Sequence, residues 1–255
     1  ALVKTITRKT MLYKTGVEYG DYSMNHVLGC SHGCKYPCYA FLMKKRFGVV
    51  KSYEEWCTPV LVENTLEILD SEIPRLKDKI RMVYLSFTTD PFMYKYDEVS
   101  NMSLLAIQKC NAAGIPCSVL TKGVLPIELA SYSRMNEYGI TLVSLSEQFR
   151  KCMEPNSAPY LDRIRALRAL HENGCTTWVS LEPYPTPNLV EQDLDTILEA
   201  VSFADKIIFG RMNYCKEVTG YKQHKAFYNE KAQCVIKWCE EHNKQHHIKK
   251  GTITY

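Results

Sequence analysis

What limits the fold of this chain most is a repeated alternation of short apolar, often β-branched runs with longer amphipathic ones. The short runs fall at 25–28, 82–87, 116–121, 141–145, 177–181 and 206–209. They have the composition of strands buried on both faces of a parallel sheet. The longer runs at 60–76, 102–113, 126–135, 160–172, 191–202 and 224–242 carry apolar residues at helical spacing. Gly114, Gly139 and Gly174 each fall between a helical run and the next strand, where a helix-ending glycine belongs. Six strand–helix units in series predict an α/β protein with right-handed crossovers. Eight units would close a full barrel, so six predict an open, partial (β/α)6 barrel: a parallel sheet with outer helices. With no internal repeat and no linker rich in Gly, Pro or Ser, residues 1–255 read as one domain, its core at about 22–215. The first twenty residues read as an N-terminal extension, and the residues beyond the core as a helix followed by a tail from His246.

Charge and hydropathy exclude several classes of function. The 32 basic residues nearly balance 28 acidic ones, for a net charge of +4. Strong nucleic-acid binders are usually more lopsided. The basic residues that gather between Lys222 and Lys250 read as a solvated face and tail. No apolar run reaches the eighteen or so residues of a membrane helix, and Ala1-Leu2-Val3-Lys4 is not the start of a signal peptide. The expectation is a cytoplasmic protein without a membrane partner.

Cysteine is over-represented, with eleven in the chain. An odd count without a secretory signal points to reduced thiols rather than a disulfide framework. Cys110, Cys117, Cys175, Cys234 and Cys239 sit in or beside apolar patterns and read as small core hydrophobes.

Three others concentrate in Gly29-Cys30-Ser31-His32-Gly33-Cys34-Lys35-Tyr36-Pro37-Cys38-Tyr39-Ala40, directly after the first strand-like run. Thiolates ligate the irons of a cubane cluster, and glycines let a backbone turn tightly around one. Three thiolates for four irons leave one iron open to a small chelating molecule. A zinc site with His32 as fourth ligand is the competing reading. It lacks the paired Cys-x-x-Cys knuckles of structural zinc, because the chain has no Cys-x-x-Cys at all.

The stretch Gly29–Ala40 resembles the cluster loop of radical S-adenosylmethionine (SAM) enzymes, in the spore photoproduct lyase-like branch. The likeness continues through Ser86-Phe87-Thr88-Thr89-Asp90-Pro91, Thr121-Lys122, Ser144-Leu145-Ser146 and Glu154-Pro155-Asn156 with Arg163, covering roughly 25–213. Two departures stand out. The family spacing is Cys-x3-Cys-x2-Cys, and Pro37 adds one residue to the second gap. Phe87 stands where spore photoproduct lyase itself carries a hydrogen-donating cysteine, so the chain is not expected to be that lyase.

The resemblance implies a [4Fe-4S] cluster on Cys30, Cys34 and Cys38, with the amine and carboxylate of SAM on the open iron. It implies Thr88, Thr89 and Asp90 at the amine, Lys122 at the carboxylate and Ser144 and Ser146 at the ribose or carboxylate. Tyr36 and Tyr39 would pack on the cluster or the adenine. Glu182 and Arg211 complete a set of polar groups at the C-terminal ends of all six strand-like runs, the end where barrel enzymes keep their working groups. Reductive cleavage of SAM would yield a 5′-deoxyadenosyl radical that takes hydrogen from a substrate. An external electron donor such as flavodoxin or ferredoxin would supply the electron.

A nucleic acid or nucleotide substrate is suggested by the resemblance; a peptide or small metabolite stays open. Tyr94, Tyr96, Glu154, Arg211, Tyr214 and Cys215 are expected to face the mouth. Cys152 and Cys215, placed in loops on that side, are candidate hydrogen donors, with Tyr214 beside them. The alternative function is a non-enzymatic metal-binding or redox-sensing protein built on the same loop.

Overall fold

The computed structural model describes residues 3–85 and 87–255; Ala1, Leu2 and Ser86, the first residue of the 86–91 motif, lie outside the described residues. In chain order the elements are β1 (Lys4–Ile6), β2 (Leu12–Lys14), β3 (Tyr22–Met24), β4 (Val27–Leu28), α1 (Tyr39–Arg46), α2 (Tyr53–Trp56) and β5 (Val60–Val62). They continue with α3 (Thr65–Leu76), β6 (Val83–Tyr84), α4 (Asp97–Ala112), β7 (Cys117–Thr121), β8 (Glu137–Thr141), α5 (Glu147–Met153) and α6 (Tyr160–Glu172). The last are β9 (Thr176–Tyr184), α7 (Leu194–Ala200), β10 (Lys206–Arg211), α8 (Lys216–Gly220), α9 (His224–Glu241) and β11 (Gln245–Ile248).

The main sheet has the order β11-β10-β9-β8-β7-β6-β3-β2, and β2 and β11 are its edges. Every pairing from β3 to β11 is parallel, and only β2 runs antiparallel, against β3. This is the open, partial barrel with outer helices. Strand order follows chain order across β6 to β11, as short right-handed crossovers require.

The apolar periodicity explains which face is buried. Val119, Ile140, Val179, Leu181, Ile207 and Phe209 alternate onto the helix side of the sheet. They pack there with Ile107 of α4, Leu167 and Leu170 of α6, Ile197 of α7 and Val235 of α9. Each such side chain contributes about 1.5–3 kcal/mol relative to exposure. The outer helices are thus held by burial, and at two helix starts side chains also satisfy free amides. Asp193 accepts from Asp195 N and Thr196 N at the start of α7, and Ser146 from Phe149 N at the start of α5. Gly114 and Gly174 adopt positive φ (+76° and +83°) after α4 and α6.

Several sequence boundaries need correction. The first parallel strand of the main sheet is β3, not 25–28. Residues 27–28 form β4, which pairs antiparallel with β5 in a separate three-stranded sheet. Polar Ser23 in the middle of β3 hides that strand from an apolar-run reading. The run 141–145 is not a strand; β8 ends at Thr141 and the following residues form a loop. Gly139 is not a turn glycine but lies inside β8, where a Cβ would come within 2.5 Å of the Trp178 ring. Residues 126–135 hold only a short 3-10 turn, Ile127–Ser131, because Leu129 alone is buried there. The expected extensions are also strands: β2 and β11 extend the sheet at its two edges, and β11 is a seventh parallel strand. Among the described residues, no helix is long and apolar enough to cross a membrane.

Candidate metal centre

The cysteine loop leaves β4 through Gly29, whose φ is +90°. A Cβ there would stand 2.5 Å from Trp56 O, the oxygen that accepts from Cys30 N at 2.9 Å. Only glycine allows this approach. On the other side, the Thr89 hydroxyl donates to Gly29 O at 3.0 Å. At Gly33, with φ +66°, a Cβ would stand 3.2 Å from Asn156 Nδ2.

The loop has no strand ladder of its own, so its backbone must be satisfied by neighbours. The segment after α5 meets most of that need. Lys35 N donates to Met153 O at 2.8 Å, Asn156 N to His32 O at 3.1 Å and Asn156 Nδ2 to Ser31 O at 3.1 Å. From α2 the Tyr53 hydroxyl donates to Cys34 O. Cys38 is the N-cap of α1, and the extra residue Pro37 lies between it and an inward-turned Tyr36.

Cys30, Cys34 and Cys38 are free thiols, each half-buried. Burial pushes the Cys30 thiol well up, and negative charge on Asp90 and Cys34 adds to the effect. Burial also raises Cys34, with the Lys122 ammonium only partly opposing it. Such thiols ionise reluctantly by themselves, and bound metal reverses that preference. In the same loop the buried Ser31 Oγ has no hydrogen-bond partner among the described residues. An orphan hydroxyl in a loop of three free thiols suits a group with exposed sulfur acceptors, so the donor set fits an iron–sulfur cluster. It does not fit zinc with His32. Nε2 of that buried ring accepts from Tyr94 N at 3.1 Å and Nδ1 lies 3.5 Å from Asp90 Oδ2, so both nitrogens are engaged. Among the described residues, no three His, Cys, Asp or Glu side chains close around a single ion.

Beneath Cys34 lies a buried charge network. Glu154 is fully buried and sits 3.0 Å from Lys122 Nζ and 2.7 Å from Arg163 Nη2. Burial alone would raise its carboxyl, but the Lys122 and Arg163 charges outweigh it and hold the group far below the usual carboxylate range. Tyr36 donates its hydroxyl to Glu154, and the Lys122 ammonium lies over its ring, 4.5 Å from the centroid. The ammonium also contacts the Tyr36 hydroxyl and lies 3.4 Å from Cys34 Sγ. Glu154 therefore does not face the mouth as expected, but locks the underside of the loop.

The other expected site residues are spread more widely. Asp90 ties two strand ends together, accepting from Thr121 Oγ1 at 2.6 Å, Lys122 N at 2.8 Å and Phe92 N at 2.9 Å. Thr88 and Thr89 are half-buried beside it. Ser144 Oγ accepts from Ser146 N at 3.0 Å, and a cavity of about 150 Å³ separates this loop from the 190–197 segment. Glu182 lies inside β9 and pairs with Lys249 at 2.8 Å, while Arg211 ends β10 against the Tyr228 ring. Tyr36 is buried, but Tyr39 is 58% exposed on α1, away from the place expected for it.

The candidate hydrogen donors are not brought together. Cys152 is on the exposed flank of α5, not in a loop. Cys215 is the buried N-cap of α8 and its thiol donates to Glu217 at 3.1 Å; Tyr214 beside it is 70% exposed. Of the remaining cysteines, Cys110, Cys117, Cys175 and Cys239 are buried as expected, and Cys234 is half-buried. Sequence reading missed Tyr53, Trp56 and Cys57, which pack around Cys30 and Cys38. Nothing in their local pattern marks them, since α2 reaches the loop only through the fold.

The Radical SAM superfamily profile matches residues 24–201. An uncharacterized protein of Acidianus two-tailed virus is 26% identical over 195 residues, covering 73% of this chain and 64% of the viral protein. One from Methanocaldococcus jannaschii is 28% identical over 190 residues, covering 73% of this chain and 68% of that protein. The chain thus spans about two thirds of the length of these relatives. Among solved structures, a spore photoproduct lyase mutant with bound AdoMet and dinucleoside spore photoproduct superposes with a TM-score of 0.70 at 14% identity. The superposition covers 96% of this chain and 81% of the lyase. SuiB of Streptococcus suis bound to S-adenosylmethionine gives 0.59 at 12% identity, covering 89% of this chain and 46% of SuiB. At these identities the likeness is one of fold.

Proposed function

Because this chain belongs to the radical SAM superfamily, whose members use a [4Fe-4S] cluster and SAM, we propose that it holds the cluster on Cys30, Cys34 and Cys38 and cleaves SAM reductively. The observation that carries the reading is a loop of three free, half-buried thiols whose backbone is satisfied from outside the loop. When bound, the cluster supplies an electron to the sulfonium of SAM, from which a 5′-deoxyadenosyl radical forms and takes hydrogen from the substrate.

The chain's own residues bind, orient and exclude water. The Gly29 and Gly33 turns and the 153–157 segment hold the three thiols in place. Thr88, Thr89 and Asp90 form the rim on which the amine of SAM rests, with Asp90 also fixing the start of the Lys122 loop. Ser144 and Ser146 border the cavity beside α7 and take the ribose or carboxylate. Tyr36 closes the underside, and Glu182 and Arg211 stand at the far strand ends. A protein of the flavodoxin or ferredoxin class serves as electron donor.

For substrate we favour a nucleic acid or nucleotide. The support is the fold likeness to a lyase solved with a dinucleoside. Phe87 cannot return a hydrogen atom, and the Cys215 thiol is buried on Glu217, so the chemistry differs from that of the lyase.

The test is anaerobic reconstitution with iron and sulfide, reduction with dithionite and addition of SAM. Release of 5′-deoxyadenosine from the parent, and none from Cys30→Ala, is the expected result. One zinc per chain and no release would favour the metal-binding alternative and defeat the proposal.

A further inference from the structure

Lys122 has three N–H donors, and three protein groups stand around its ammonium: Glu154 Oε1 at 3.0 Å, the Tyr36 hydroxyl and Cys34 Sγ at 3.4 Å. Its position is set by a carboxylate that is itself held. The other Glu154 oxygen is held by Arg163 Nη2 at 2.7 Å. Arg163 is fully buried, and it also donates to Ser157 Oγ at 2.6 Å, Ala158 O at 3.0 Å and Thr141 O at 2.8 Å. Strand end, α6 and the 153–157 segment thus clamp the carboxylate, and the carboxylate clamps the ammonium.

We propose that Glu154 is a positioning residue that holds the Lys122 ammonium against the Cys34 sulfur, and that this ammonium makes the cluster easier to reduce. The inference rests on Cys34 being a cluster ligand, as proposed above. It differs from the carboxylate contact that the resemblance implies for Lys122, since it acts before any cosubstrate is present. The physical ground is simple. Reduction adds one negative charge to a cluster and its thiolates. A buried positive charge stabilises that added charge more than it would in water. A hydrogen bond to a ligand sulfur also draws electron density from it, one of the levers that sets iron–sulfur potentials. The step is one electron passing from reductant to cluster; no bond is made or broken and no proton moves.

The experiment is a redox titration of the reconstituted full chain without SAM, with dithionite as reductant, followed by absorbance and by electron paramagnetic resonance. Iron per chain is measured alongside. Lys122→Met is expected to shift the reduction equilibrium about tenfold toward the oxidised cluster, a move of about 59 mV to more negative potential for one electron. Lys122→Arg should restore most of it. In the Glu154→Gln background the Lys122→Met shift should shrink, because the ammonium is no longer held there.

An unchanged potential in an iron-replete Lys122→Met protein overturns the proposal. An equal Lys122→Met shift with and without Glu154 overturns the positioning role. Should Lys122→Met hold no iron, Glu154→Asp takes its place. That variant keeps the charge but draws the ammonium off the sulfur, so a potential that stays put again overturns the idea. A parent that holds the cluster yet releases no 5′-deoxyadenosine defeats the proposed function and leaves this measurement standing.

Discussion

The cysteine loop and the inner, concave side of the sheet are built on opposite terms. The loop is held by buried charges, backbone hydrogen bonds from other elements and two glycines at positive φ. The inner side is filled by rings. Tyr19 packs edge-on against Tyr84, Phe87, Trp178 and His247, and Tyr84 stacks on Phe87 with centroids 5.0 Å apart. Trp178 alternates to this side because its neighbours Thr177 and Val179 face the helices. Ring packing is forgiving, since neighbours can shift to fill space. A buried charge network is not, because each group left unpaired costs its full desolvation. The inner side is thus held by packing, whereas the loop end is held by charges that must stay paired.

The largest expected effect separates the two regions outright. Alanine at Cys30, Cys34 or Cys38 should abolish iron binding, read by iron analysis and absorbance near 400 nm, while thermal stability of the apo-protein barely moves. Next, Glu154→Ala should cost about 3–5 kcal/mol in urea unfolding, because it strands two buried cations. Trp178→Ala should cost about 3 kcal/mol, a packing loss, yet leave iron content per folded chain unchanged. Iron loss in that variant would break the contrast.

Acidification should act on the loop end. His26 is fully buried, with Nε2 2.7 Å from Ser103 Oγ, and burial lowers its pKa from 6.5 to about 4. Its folded value lies below its unfolded one, so the unfolded chain binds the extra proton first. Stability from this group is complete above about pH 6.5 and is lost as pH falls through about 4, roughly 3 kcal/mol in all. A His26→Gln protein should show a flatter pH–stability curve in that window; an identical curve would remove His26 as the cause. The smallest effect belongs to the far edge. There Glu18 pairs with His247 at 2.7 Å, and His247→Ala should cost no more than about 1 kcal/mol in the same assay.

The amino-acid sequence by itself determined the class of fold and the place of the cysteine loop. Both rest on local signals: alternating runs set by strand and helix periodicity, and three cysteines close enough in the chain to act together without help from the fold. Even the Glu154-Pro155-Asn156 motif was visible, but not its task. That Glu154 lies under Cys34, that β11 is a strand rather than a tail, and that Gly139 makes room for Trp178 were decided only in three dimensions. A buried charge takes its meaning from partners, and Lys122, Arg163 and Tyr36 lie up to 118 residues away from Glu154 in the chain. No local pattern encodes such distances. They are fixed when parallel strands stack in register and carry their following loops to one shared end.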